Sequence, residues 1–184
     1  MGRAEALLSA RAGSTIAHSP GMFRQRPGRA KGFVYQGYQR YFLTICTAKR
    51  FPAFQEHPEI GWMLGALREI LAAKCFALLA YCFMPDHVHL LLEGLGPDAD
   101  LCVVVPRWKQ LCGYRYRRKT GRPLWQPGYY DRVLRNEESS VAIARYILEN
   151  PVRAGLARSI GEYPFAGSDV WSLSELIEVM QGQA

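Results

Sequence analysis

Three features of the 184-residue chain predict an α+β, ferredoxin-like sandwich. The first is element order, which reads strand, helix, strand, strand, helix, strand, with one more helix behind. The second is an apolar hairpin signal between Phe76 and Glu93, broken only by Met84-Pro85-Asp86. The third is helical spacing of apolar residues from Ile60 to Leu71. Together they predict a four-stranded antiparallel sheet with helices on one face, plus the added helix. The first 32 residues predict no such element. They mix small, Gly, Pro and Arg residues and read as an irregular basic arm, with room for a short helix near Ala4 to Ala12. The domain is expected over 33–172 and a tail over 173–184.

Each element has a local reason. Tyr41 to Thr47 is aromatic and β-branched, which suits a strand. Ile60, Met63, Leu64, Leu67, Ile70 and Leu71 form one stripe of a helix, and Pro58 fits its first turn. Phe76 to Phe83 and His87 to Glu93 are the hairpin strands, followed by a loop over Gly94 to Asp100. A second helix is expected from Pro106 to Lys119, with Trp108, Leu111, Cys112 and Arg115 inside and Gly121 and Pro123 as its stop. Arg132 to Arg135 is a short strand. Asn136 can cap a third helix with Glu137 and Glu138 in its first turn. Val141, Ala144, Ile147 and Leu148 give that helix a core face. It should end near Asn150, because the residue before Pro151 is pushed out of helical geometry. A weak helix follows from Ser174 to Met180.

Composition narrows the partners. Hydrophobic residues make up 49%, which fits a globular chain. The formal charge is +7, and it is localised: Arg107 to Arg135 holds nine Lys/Arg against the single acid Asp131. From Asn136 onward there are seven Asp/Glu and three Arg. A local basic patch suits a polyanion, although a solvated helix face has the same composition. Tyr114 to Lys119 interleaves rings with cations, the mixture that grips phosphates and stacks on bases. Lys109, Arg115, Tyr116, Arg117, Arg118, Lys119, Arg132 and Arg135 are the candidate nucleic-acid contacts. Arg24, Arg26, Arg29 and Lys31 could add to them or simply keep the arm soluble. The five cysteines form no C-x-x-C pair and read as reduced core thiols of a cytoplasmic protein. No apolar run is long enough for a membrane span.

The chemistry-bearing stretch is Met84 to Leu92. Alternate strand side chains share a face, so His87 and His89 point one way while Val88, Leu90 and Leu92 point the other. Two co-facial imidazoles can bind one divalent metal. The same pattern also fits two partly exposed strand residues. On the third helix, Tyr146 and Asn150 lie four residues apart on one face. A phenol beside a bound cation is a candidate nucleophile, and the Asn150 carbonyl a candidate ligand for Mg or Mn. A ring packed at the core edge is the alternative for Tyr146.

Met84 to Leu92 resembles the His-hydrophobic-His signature of the HUH single-tyrosine transposases. Trp125-Gln126-Pro127-Gly128-Tyr129-Tyr130-Asp131-Arg132-Val133-Leu134-Arg135, then Ala144-Arg145-Tyr146 through Asn150-Pro151-Val152-Arg153-Ala154-Gly155-Leu156, resemble their REP-associated tyrosine transposase branch, as does Tyr163-Pro164-Phe165. The resemblance spans about Gly32 to Trp171. It implies a fold that cuts and rejoins single-stranded hairpin DNA, with His87 and His89 as metal ligands, Tyr146 as the catalytic nucleophile and Asn150 beside the metal. Asp86 stands where many relatives have Asn or Glu, and no loss is expected from it. Oligomeric state is left as monomer or homodimer. Two rivals stand beside this reading. One is a non-catalytic, ferredoxin-like module that binds single strands; the other is an HUH replication-initiator nuclease.

Overall fold

The computed structural model describes residues 34–55, 57–135 and 139–181. The basic arm with Arg24, Arg26, Arg29 and Lys31, and the capping candidates Asn136, Glu137 and Glu138, lie outside the described residues. The elements are β1 (Arg40–Cys46), α1 (His57–Ala73), β2 (Phe76–Met84), β3 (His87–Gly94), α2 (Leu101–Thr120), β4 (Tyr130–Leu134), α3 (Ser140–Leu148), the single turn α4 (Asn150–Arg153), β5 (Ala166–Gly167) and α5 (Leu173–Gln181). They form an antiparallel sheet in the order β4-β1-β3-β2-β5. The α+β class agrees with expectation. The fifth strand is new: two residues carry no periodicity, and β5 exists because Phe83 N–H donates to Phe165 O at 2.9 Å and Tyr81 and Cys82 pair with Gly167 and Ala166.

Strand alternation sorts the apolar residues into two cores. Tyr41, Leu43 and Ile45 with Val88, Leu90 and Leu92 face α1 and α2. Phe42, Cys82 and Leu91 face α3 and α5, meeting Ile143, Ala144, Ile147 and Leu176. A bulge between Leu78 and Ala80 shifts the β2 register, so Leu79 and Ala80 both join the second core. The sheet is therefore covered on both faces, and α5 is part of the second core through the fully buried Leu176.

Helix boundaries differ from expectation where caps outweigh proline. α2 begins at Leu101 rather than Pro106, because the Asp100 carboxylate accepts from Cys102 N at 2.7 Å. Pro106 stays inside the helix, flanked by buried Val104, Val105 and Trp108. Trp108 and Cys112 face the core as expected, whereas Leu111 is 42% exposed and Arg115 lies at the surface. α3 starts at Ser140 with Ser139 as cap, its hydroxyl accepting from Ala142 N at 3.3 Å. It ends at Leu148, and Pro151 sits in the first turn of α4. No helix among the described residues is long and apolar enough to cross a membrane.

Candidate active site

β3 is the central strand, and its Pro85-Asp86 turn starts the histidine run. His87 and His89 emerge on the sheet face covered by α3, as their period of two requires. Their Nε2 atoms lie 3.1 Å apart. Each ring is held from behind. Asp86 Oδ1 meets His87 Nδ1 at 2.6 Å, and since a carboxylate only accepts, Nδ1 carries the proton. Thr44, directly across from His89 on β1, places Oγ1 2.9 Å from His89 Nδ1. In the tautomer that donates to Thr44, both Nε2 lone pairs aim into one gap. Burial pushes His89 down to about 3, with His87 adding to the effect. Burial also lowers His87, against the pull of Asp86. Both imidazoles are therefore neutral near pH 7, the form that ligates metal.

These residues fit a divalent cation. Two ligand atoms at about 2.1 Å from one ion and at right angles lie about 3.0 Å apart, the spacing observed. In the tautomer that donates to Thr44 the two lone pairs repel unless a cation lies between them; in the other, His89 Nε2–H donates to His87 Nε2. Among the described residues no group of three His, Cys, Asp or Glu surrounds the gap, so further ligands must come from neutral side chains, substrate or water.

Helix α3 brings Tyr146 to the same place. Its ring centroid is 6.2 Å from that of His89 and 5.9 Å from that of Phe42. Val141, Ala144, Ile147 and Leu148 dock the helix as the spacing predicts. Asn150 donates Nδ2 to Tyr146 O at 2.8 Å, which leaves Oδ1 as its acceptor. Arg153, not singled out in the sequence, completes this corner. Its guanidinium carbon stands 4.4 Å from the Tyr146 centroid, and Nη2 donates to Tyr146 O at 2.8 Å. Glu149 holds its other arm at 3.2 Å. The spacing of Tyr146, Asn150 and Arg153 was a readable signal for one helical face. Thr44 offered none, since only strand register pairs it with His89.

The candidate DNA contacts divide. Arg132 stands opposite Phe42 in the β1–β4 register and so lies on the histidine face. Arg135 follows the end of β4, and its carbonyl accepts from Arg40 Nη2 at 2.9 Å. The α2 residues lie on the helix that covers the opposite face. There Arg117 and Arg118 are exposed, with Arg118 near the Tyr114 ring at 5.9 Å. Arg115 stacks on Trp62 at 4.2 Å and approaches Glu59 at 3.9 Å, and Lys119 pairs with Glu59 at 2.7 Å. Tyr116 packs against the first core. Lys109 departs most from expectation. Its ammonium donates to Gln126 O at 3.0 Å and to Gly128 O, and burial lowers it to about 8. It anchors the segment before β4 instead of facing solvent.

The Tyr-Pro-aromatic element is structural in this chain: Tyr163 Oη donates to Phe83 O at 2.9 Å and clamps the β2 edge. The five cysteines are all free thiols, but the expected core placement holds only for Cys82 and Cys112; Cys46 and Cys102 are half-buried and Cys75, in the turn before β2, is exposed.

Known proteins resemble this chain in sequence and in fold. The family described as "Transposase IS200 like" matches residues 36–150. A putative REP-associated tyrosine transposase of Haemophilus influenzae is 22% identical over 137 residues, 68% of this chain and 77% of that protein. A REP-associated tyrosine transposase of Escherichia coli is 24% identical over 102 residues, 55% of this chain and 59% of that protein. A solved REP-associated tyrosine transposase, described as bound to a REP hairpin, has the same fold. Its TM-score is 0.60 at 19% identity, over 80% of this chain and 95% of that one. The family match runs from just before β1 through the histidine strand to Asn150, so the chain belongs to the IS200-like transposase family.

Proposed function

We propose that this chain is a metal-dependent transposase that cleaves and rejoins single-stranded DNA through a 5′-phosphotyrosine intermediate, at hairpin repeats of the REP type. One observation carries the reading: two Nε2 atoms 3.1 Å apart, with a tyrosine ring 6.2 Å from one of them, all within one chain. His87 and His89 would hold Mg or Mn, with Asn150 Oδ1 as a further ligand. Bound there, the cation would polarise the scissile phosphate. Tyr146 loses its phenolic proton to water as its oxygen bonds to phosphorus, and the bond to the 3′-oxygen breaks, that oxygen taking a proton from water to leave as a 3′-hydroxyl. Arg153 presents positive charge against the Tyr146 ring throughout. Asp86 and Thr44 keep the imidazoles oriented. The reverse step, with another 3′-hydroxyl, rejoins DNA without a nucleotide cofactor.

Arg132 and Arg135 border the site, and Arg117 and Arg118 supply non-specific affinity from the far face. The cytoplasm, where DNA is at hand and thiols stay reduced, is the matching compartment. The single-strand binding module is less well supported. That reading needs an open sheet face, and here α3 closes it over Phe42 and His89, both nearly fully buried.

The test is incubation with end-labelled hairpin DNA and Mn²⁺, read on a denaturing gel. A covalent adduct is expected from the wild type and not from His87→Ala, His89→Ala or chelated samples. An adduct of full yield in the double alanine variant with chelator would end the metal reading.

A further inference from the structure

The turn after β1 is held in an unusual conformation. Lys49 and Arg50 have φ of 54° and 57°, a left-handed geometry that residues with side chains seldom adopt. Two such residues in succession persist only where the surroundings impose them. Here Thr47 N donates to Asp86 O at 3.0 Å, and its hydroxyl lies within donating distance of that oxygen, 2.9 Å, and of Phe51 O, 2.7 Å. Ala48 N donates to Leu124 O at 2.8 Å, and Phe54 N to Pro85 O at 3.0 Å. The turn is thus fastened to the Pro85-Asp86 turn that precedes the histidines.

What this geometry presents is an exposed ring beside a cation. Phe51 is fixed by its backbone, yet the residue is 46% exposed. The Arg122 guanidinium carbon lies 5.6 Å from the ring centroid. Lys49, two residues before it in the same turn, is exposed, and 47–54 contains no acid. Arg50 reaches Asp86, Nε to Oδ2 at 2.8 Å, and Asp86 in turn holds His87 at 2.6 Å. The ring therefore belongs to a turn that is two polar contacts from a candidate metal ligand.

We propose that Lys49, Phe51 and Arg122 form a subsite for an unpaired nucleotide of single-stranded DNA next to the cleaved bond. The base stacks on Phe51, and Lys49 and Arg122 take the neighbouring phosphates. A ring platform with flanking cations accepts any base, because every base has a π face. The strained turn keeps the ring in place before DNA arrives, so little ordering remains to be done on binding. This rests on the single-strand cleavage reading above, but it can fail separately.

The test is binding of fluorescein-labelled (dT)12 by anisotropy at several salt concentrations. Phe51→Ala should weaken binding at least about five-fold, the low end for one base–aromatic stack. Phe51→Trp should restore it. Lys49→Ala should reduce the log–log salt slope by about 0.7, one single-strand phosphate contact. Circular dichroism melting controls for folding, and the Phe51→Ala midpoint should stay near that of the wild type. Unchanged affinity in Phe51→Ala, failure of Phe51→Trp to restore it, or no (dT)12 binding by the wild type would each overturn the subsite. If the Phe51 effects appear but no adduct ever forms on hairpin DNA, the cleavage reading fails and the subsite stands.

Discussion

Tyr146 is fixed on three sides: Phe42 meets it edge-on, His89 lies across from it, and Arg153 stands over its face. Tyr146→Phe keeps those contacts and removes one hydroxyl. Stability should change by no more than about 0.5 kcal/mol, while the covalent adduct disappears. Peptide mapping should place the DNA on Tyr146, and mapping to Tyr129 or Tyr130 would refute the assignment. Arg153 acts through the tyrosine. Arg153→Gln should lower the cleavage rate constant by about ten- to a hundred-fold through mispositioning, with the DNA Kd nearly unchanged. A fall in affinity with no fall in rate would make it a DNA contact instead. His89 titrates in the opposite sense from a paired histidine. Its folded value, about 3, lies below the ordinary 6.5, so the unfolded chain binds the proton more readily. In metal-free buffer, stability should therefore hold above about pH 6.5 and fall steadily toward pH 3. Urea unfolding at pH 7, 6 and 5 should show that slope, and His89→Asn should flatten it.

At the scale of elements, α2 combines two jobs that look alike in sequence. Lys109 sits in a basic helix like its neighbours, but its ammonium closes the Gln126 and Gly128 carbonyls. Lys109→Met leaves those acceptors unpaired and should cost about 1–3 kcal/mol in chemical denaturation. The salt slope of DNA binding should not move. Arg117→Glu with Arg118→Glu should do the reverse, weakening binding and flattening the slope while leaving stability nearly intact. Strand β3 ends in a similar constraint. A Cβ on Gly94 would fall 2.0 Å from Gly37 O, a backbone atom that cannot swing away. The hairpin strands and the core face of α3 were legible because periods of 2 and 3.6 are local properties. β5 and the early start of α2 were not, since one depends on pairing with β2 and the other on a single capping carboxylate.

For the molecule as a whole, the decisive fact is that one chain brings His87, His89 and Tyr146 together. Mixing the His89→Ala and Tyr146→Phe variants should therefore restore no adduct formation, because neither copy has a complete site. Recovery on mixing would show that the α3 helices exchange between copies. The sequence by itself determined that His87 and His89 share a face, that Tyr146 and Asn150 share another, and that positive charge gathers between Arg107 and Arg135. Each follows from backbone periodicity or composition, which need no distant partner. Only the tertiary structure decided that α3 covers the histidine face, that α2 carries much of the basic patch to the opposite face, and that Thr44 stands behind His89 and Arg153 against Tyr146. Those outcomes depend on strand register and on which face each helix buries. Both are settled by contacts between residues far apart in the chain, about which a local pattern carries no information.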